Sequence, residues 1–258
     1  MLLCLDVGNT HILGGVFNEG NLIARFRYAT NLIGTADQLG IFLIHFLRAN
    51  RIDPEKIKAT VVGSVVPGYD YTIKHTISLY LHAAYFRFEP EAKTGLIIKY
   101  KNPNEVGADR IANAIGAVHA YPKQNIIIVD LGTATTLCAI TKNSEYLGGA
   151  ILPGIRLGME SLKNHTAKLM EVDIEIPSHY MGCTTRESIQ SGLYYGHLGA
   201  LKEIIGGIKY DALKNESSIV VGTGGFAQLY RDTSLFDIIL PDLVLQGLYR
   251  AYVLQQGG

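Results

Sequence analysis

The feature that most constrains this chain is a pattern stated twice. Leu2-Leu3-Cys4-Leu5-Asp6-Val7-Gly8-Asn9-Thr10 runs from apolar residues into an acid, a glycine and small polar side chains. Ile126-Ile127-Ile128-Val129-Asp130-Leu131-Gly132-Thr133-Ala134-Thr135-Thr136 has the same order of parts and continues to Cys138. A short apolar run bounded by turn residues reads as a buried strand. The Asp-x-Gly that follows reads as a tight turn. The second copy begins close to halfway along the 258 residues.

What surrounds the two turns repeats as well. In the first half the pattern predicts a second strand over residues 12–17, a hairpin turn at Asn18-Glu19-Gly20-Asn21 and a third strand over 22–28. In the second half it predicts strands over 126–129, 136–141 and 146–152, with the hairpin turn at Lys142-Asn143-Ser144-Glu145. Helix-period stretches follow each set. They run through Leu39, Leu43, Phe46 and Leu47 and over 69–81 in the first half, and over 159–169, 185–206 and 226–230 in the second. Further strands fall at 59–65, 85–88 and 219–221. Two such units imply duplication: an α/β chain of two similar domains, 1–120 and 121–258, with a cleft between them. A last helix from Asp242 could pack on either half.

Bulk properties remove several function classes. Lys plus Arg and Asp plus Glu are equal at 23 each, so charge gives no case for nucleic acid or an acidic membrane surface. The N-terminal apolar run is stopped by Asp6 and has no basic residue before it, unlike a signal peptide. The longest apolar helical stretch, over 39–47, is far short of the ~20 residues that span a bilayer. Cys4, Cys138 and Cys183 are scattered, and read as small buried hydrophobes in a reducing compartment. These properties predict a soluble, cytoplasmic protein without membrane or nucleic-acid partners.

A turn of glycine and small hydroxyls can bring backbone N–H groups against phosphate oxygens. Asn9, Thr10, Thr133, Thr135 and Thr136 can add side-chain donors, and an acid at the strand end can hold a cation or a bridging water. Each turn is then half of a polyphosphate site, and two facing turns form a clamp. Read singly, each turn is also an ordinary capped hairpin. A P-loop is excluded, because Gly-x4-Gly-Lys-Ser/Thr is absent. Gly222-Thr223-Gly224-Gly225-Phe226-Ala227 resembles a dinucleotide fingerprint but lacks the following βαβ unit and its acid. A glycine turn beside a flat ligand such as adenine fits it, as does a strand-to-helix turn with no ligand. The eight histidines show no metal-ligand spacing, and no Gly-x-Ser-x-Gly elbow occurs.

Between the halves lies Asn102-Pro103-Asn104-Glu105-Val106-Gly107-Ala108-Asp109-Arg110, ahead of a helix through Ile111, Ile115 and Val118. An acid near a helix start is favoured by the helix dipole, whereas an arginine is not. An acid beside an arginine there suits a base with an anion-binding group. It also fits a helix-terminal acid with a surface arginine.

With these motifs together the sequence resembles the type III pantothenate kinases, of the acetate/sugar kinase–Hsp70–actin superfamily. The resemblance covers nearly the whole chain. It rests on residues 6–10, Asn102-Pro103, residues 107–110 and 130–136, Gly148-Gly149, Pro153-Gly154, Gly182 with Thr185, residues 223–225, and 243–248. It implies two actin-like (ribonuclease H-like) domains with an ATP cleft between them. It further implies phosphorylation of pantothenate by ATP with magnesium, the first step toward coenzyme A, in a homodimer. By the same resemblance Asp6, Val7, Gly8, Asn9, Thr10, His11, Ile12, Leu13, Thr133, Thr223, Gly224 and Gly225 would contact ATP. Tyr100, Gly107, Ala108, Asp109, Arg110 and Thr185 would line the pantothenate site, with Asp109 as general base. Asp130 would hold a monovalent cation, potassium or ammonium. The rival readings are a superfamily kinase for another small alcohol or acid, and a regulatory protein that binds ATP without catalysis.

Overall fold

The computed structural model describes residues 1–89, 92 and 94–257. In chain order the elements are β1 (Leu2–Val7), β2 (His11–Asn18), β3 (Asn21–Ala29), α1 (Ala36–Ala49), β4 (Ala59–Ser64), α2 (Asp70–Thr76), β5 (Ala84–Phe88), β6 (Ile97–Ile98) and α3 (Ala108–Ala120). They continue with β7 (Asn125–Leu131), β8 (Ala134–Ile140), β9 (Glu145–Pro153), α4 (Ile155–His165), α5 (Thr185–Asp211), β10 (Ser218–Thr223), β11 (Ile238–Ile239) and α6 (Leu243–Gln255). Two units divide the chain. The first holds Met1–Leu96, Lys101–Ala120 and Leu243–Gly258; the second holds Ile97–Tyr100 and Tyr121–Asp242.

In the first unit the sheet order is β3-β2-β1-β4-β5. β1 pairs antiparallel with β2 and parallel with β4. The hairpin between β2 and β3 turns at Glu19 (φ 49°) and Gly20 (φ 87°), the left-handed pair that a two-residue hairpin needs. Leu3, Leu5 and Val7 of β1 pack with Leu39, Leu43 and Leu47 of α1, the stripe legible in the sequence. Each fully buried leucine contributes about 2 kcal/mol in removed apolar surface. The capping box Thr35/Gln38 starts α1, with bonds of 2.9 and 3.3 Å. α3 and α6 pack together and contact β4, and α6 also contacts β1. They approach closely because Gly116 lies against the Leu243 carbonyl and Gly247 against that of Ala112.

The second unit repeats the plan. Its sheet is β11-β10-β7-β8-β9-β6, so β9-β8-β7-β10-β11 has the order and the directions of β3-β2-β1-β4-β5. β6 is an extra edge strand beside β9. Leu198, Leu201 and Ile205 of α5 pack against Ile127, Val129 and Leu137 of the sheet. A second capping box, Thr184/Glu187, starts α5.

Several sequence expectations shift. The 69–81 helix is α only to Thr76; Ile77–Leu81 widens to a π turn and ends at His82 in the left-handed region (φ 48°). That turn seats Tyr80 over Gly40, with the Tyr80 hydroxyl donating to Asp37 Oδ1 at 2.5 Å. The 159–169 helix begins earlier, with Gly154 at its N-cap, and stops where Thr166 turns extended. The 226–230 helix is a 3-10 helix, Ala227–Thr233, with Phe226 at its N-cap. Cys4 and Cys138 are buried in strands, but Cys183 is exposed just ahead of the α5 cap. The 120/121 boundary assigned the C-terminal helix to the second half, whereas α6 packs within the first unit. No helix among the described residues is long and apolar enough to cross a membrane.

Candidate active site

In the first unit β1 and β4 run parallel and end side by side at Val7 and Ser64. The chain leaves β1 through residues 8–10. Gly8 N–H donates to His11 O at 3.0 Å, and Thr30 N–H donates to Thr10 O at 2.9 Å. The buried Thr30 hydroxyl donates to Gly8 O at 2.7 Å. The turn is thus fastened through its carbonyls, and Asn9, Thr10 and His11 are left exposed. Val7 and Ile12 are fully buried, so a ligand could meet them only through backbone. Asp6 and Leu13 are half-buried. No sequence motif marked Thr30, which is distant in sequence and conspicuous only in the hydrogen bonds.

The same sheet end carries residues 107–110. Val65, just past β4, donates its N–H to Val7 O at 3.1 Å. A Cβ on Gly107 would lie 3.8 Å from Val65 Cγ1 and 2.5 Å from Asp109 Oδ1. Gly107 therefore threads between the end of β4 and the Asp109 carboxylate. Asp109 stands in the first turn of α3, where Oδ1 accepts from Arg110 N–H at 2.8 Å. Helix-terminal amides favour a carboxylate here. Ala108 and Arg110 are buried, so the arginine is not the surface residue that its helix position also allowed. The turn of residues 6–10 and Asp109 are thus brought together within one unit.

In the second unit Asp130 is the penultimate residue of β7, with Thr136 opposite it on β8 and Thr223 opposite it on β10. Gly132 N–H donates to Ala134 O, and Gly154 N–H to Thr133 O, each at 3.1 Å. Thr133 and Gly225 are exposed. Gly224 (φ 87°) lies against the Asp130 carboxylate and would bring a Cβ within 2.7 Å of the Leu131 backbone. Its glycine is therefore explained by packing inside the unit. Thr223 is buried, and its hydroxyl donates to Leu240 O at 2.7 Å. The buried Thr135 hydroxyl meets His197 Nε2 at 3.1 Å, and burial holds the His197 imidazole below its ordinary pKa.

Two other sequence-predicted residues also lie in the second unit. The Tyr100 ring rests on Gly148, whose φ of 131° favours glycine. Thr185 opens α5 and borders an open groove of ≈ 760 Å³ between α4 and α5, lined by Leu162, Leu169, Ile189 and Leu193. Among the described residues no group of three or more His, Cys, Asp or Glu could hold a metal ion. Asp130, with Thr136 and Thr223 as cross-strand neighbours, offers oxygen donors, which suit hard cations rather than those that select thiolate or imidazole.

Comparison with known proteins adds the family. The model of the type III pantothenate kinase family matches residues 2–206. A type III pantothenate kinase of Legionella pneumophila (strain Corby) is 51% identical over 248 residues, 96% of each chain. That of Elusimicrobium minutum (strain Pei191) is 46% identical over 248 residues, again 96% of each. A crystal structure of a conserved Baf family protein from Campylobacter jejuni has a TM-score of 0.62 at 19% identity, covering 99% of this chain and 100% of its own. A Sinorhizobium meliloti protein assigned as a 2-dehydro-3-deoxygalactonokinase has a TM-score of 0.57 at 12% identity, covering 98% and 99%. These two likenesses show the fold alone, the actin-like α/β architecture. With the family model spanning most of its length and relatives near half identity, the chain belongs to the type III pantothenate kinase family.

Proposed function

We propose that this chain transfers the γ-phosphoryl group of ATP to the primary hydroxyl of pantothenate, with Asp109 as the general base. Membership of the family supports pantothenate phosphorylation in coenzyme A biosynthesis. The observation that carries the assignment of the base is the shared sheet end in the first unit: Val7 bonds to Val65, and Gly107 seats the Asp109 carboxylate beside it.

Phosphoryl transfer asks a protein mainly for positioning and charge neutralisation. Asn9, Thr10 and His11, exposed on a turn fastened from behind, supply donors for phosphate oxygens. Magnesium would accompany ATP and neutralise phosphate charge, and half-buried Asp6 would hold that metal–phosphate centre. As the new oxygen–phosphorus bond forms and ADP leaves, the hydroxyl proton passes to Asp109. Such assistance gives about 10²–10⁴-fold in rate. Arg110 orients pantothenate, and its guanidinium suits the carboxylate of that substrate. Gly107 and Ala108 line that substrate's site; Tyr100 and Thr185 remain contacts that the family resemblance implies. Thr133 and residues 223–225 meet the nucleotide. For Thr223 this contact is through backbone, since its hydroxyl is engaged with Leu240. Asp130 would hold a potassium or ammonium ion, which would supply added positive charge. The working form is a cytoplasmic homodimer.

The test is Asp109→Asn, which should keep ATP binding and lose about 10²-fold or more in turnover. Turnover near wild type would overturn the assignment of the base. ADP release with pantothenate, set against a panel of sugars and short acids, checks the substrate. Turnover on another compound would favour the superfamily-kinase reading, and ATP binding without any turnover the regulatory one.

A further inference from the structure

Thr135 and His197 form a pair that the reaction above does not use. Thr135 follows the second turn by two residues and is 1% exposed. Its hydroxyl meets His197 Nε2 at 3.1 Å. His197 belongs to α5, and it is half-buried. It lies 6.1 Å from the Tyr230 ring, which stacks on Tyr194 at 5.0 Å, which in turn meets Tyr195 edge-on at 4.9 Å. Tyr230 is fully buried. Half-buried beside Tyr230, the imidazole presents Nε2 to the Thr135 hydroxyl.

The first turn shows what such a bond does. There the buried Thr30 hydroxyl fastens Gly8 O from behind and leaves the outer side of the turn exposed. In the second turn Thr133 O is fastened by Gly154 N–H and Ala134 O by Gly132 N–H. Thr135 adds a side-chain anchor, and it is held from α5. We propose that His197 is a positioning residue for the second phosphate turn, holding the Thr135 hydroxyl so that the backbone of residues 132–136 stays set for the polyphosphate. This rests on the reading of that turn as a nucleotide site. The low basicity of the ring agrees, because a neutral imidazole retains the lone pair that can accept from a hydroxyl.

The experiment measures KM for ATP, KM for pantothenate and kcat for His197→Ala, His197→Gln, Thr135→Val and the double variant His197→Ala/Thr135→Val. Thr133→Ala serves as a probe of the turn itself. His197→Ala and Thr135→Val should each raise KM for ATP about ten-fold while KM for pantothenate stays within about two-fold. The double variant should be no worse than either single one, since both remove the same bond. His197→Gln should recover most of the loss, because an amide can donate or accept at that point. Thr135→Val is nearly isosteric and keeps the histidine, so it reads the bond even where His197→Ala folds poorly. If Thr133→Ala weakens ATP binding while Thr135→Val matches wild type, or if the losses of His197→Ala and Thr135→Val add in the double variant, the positioning role is overturned. An equal rise in both KM values overturns it as well. If Thr133→Ala and Thr135→Val both leave ATP binding unchanged, the nucleotide reading of the turn falls, and this role falls with it.

Discussion

Gly107→Ala separates the placement of Asp109 from the stability of the fold. A Cβ at this position would lie 2.5 Å from Asp109 Oδ1 and 3.8 Å from Val65 Cγ1. The second distance is ordinary contact; the first is not. To restore about 3.4 Å, the carboxylate must retreat by roughly 0.9 Å. It is the end of a flexible side chain, and the Gly107 backbone lies outside the left-handed region, so alanine is tolerated there. Stability should therefore change by less than about 1 kcal/mol. Displacing a catalytic group by about 1 Å costs on the order of 10²-fold in rate, or about 2.7 kcal/mol in the barrier. The assay is coupled ADP release at saturating ATP and pantothenate, beside urea unfolding of the same preparation. The expected result is a kcat lowered about 10²-fold, a KM for ATP within about two-fold and a near-normal unfolding midpoint. Wild-type kcat in the folded variant would refute the assignment of Asp109 to the reacting centre. A loss of several kcal/mol in stability would show that the collision involves more than a movable carboxylate.

Gly224→Ala should behave in the opposite way. With φ at 87° and the Leu131 backbone within 2.7 Å of the added carbon, it should cost about 2–4 kcal/mol in urea unfolding, because backbone must move. If Asp130 holds a monovalent cation, activity rises with potassium or ammonium and not with sodium; equal rates in the three salts would count against it. His197 has its pKa lowered from 6.5 by burial, so between the two values the unfolded chain binds more protons than the folded one. Stability from this group is therefore full above about pH 6.5 and declines as the pH falls below it. Urea midpoints of wild type and His197→Gln across about pH 5 to 7.5 should show a shallower acid decline in the variant.

Much of this was legible in the sequence because duplication doubles every signal. The strand–turn–strand–hairpin–strand order at Asp6 recurs at Asp130, and both sheets have the order that such a repeat requires. Gly107 and Asp109 could be singled out because glycine and a helix-start acid have local physical reasons. Thr30 and His197 could not. Each acts on a residue far away in sequence, through one hydrogen bond, and leaves no periodicity. β6 and β11 are two residues each, too short to show alternation, and take their conformation from neighbouring strands. Val7 lies in the motif of the first turn and Ile12 just beyond it, yet their side chains are core. A motif marks a stretch of backbone, and burial decides which of its side chains a ligand can meet.

The place of α6 bears on how the chain is made. The first unit needs Leu243–Gly258 to close over α3, while the second unit lies mostly in one uninterrupted stretch, Tyr121–Asp242. On a ribosome the second unit can complete its long segment while the first still shows the apolar surface that Leu245, Leu248 and Ala251 will cover. The half synthesised first is thus the half finished last. A chain shortened by its final fifteen or so residues would leave the turn at residues 6–10 on a sheet with one face unclosed.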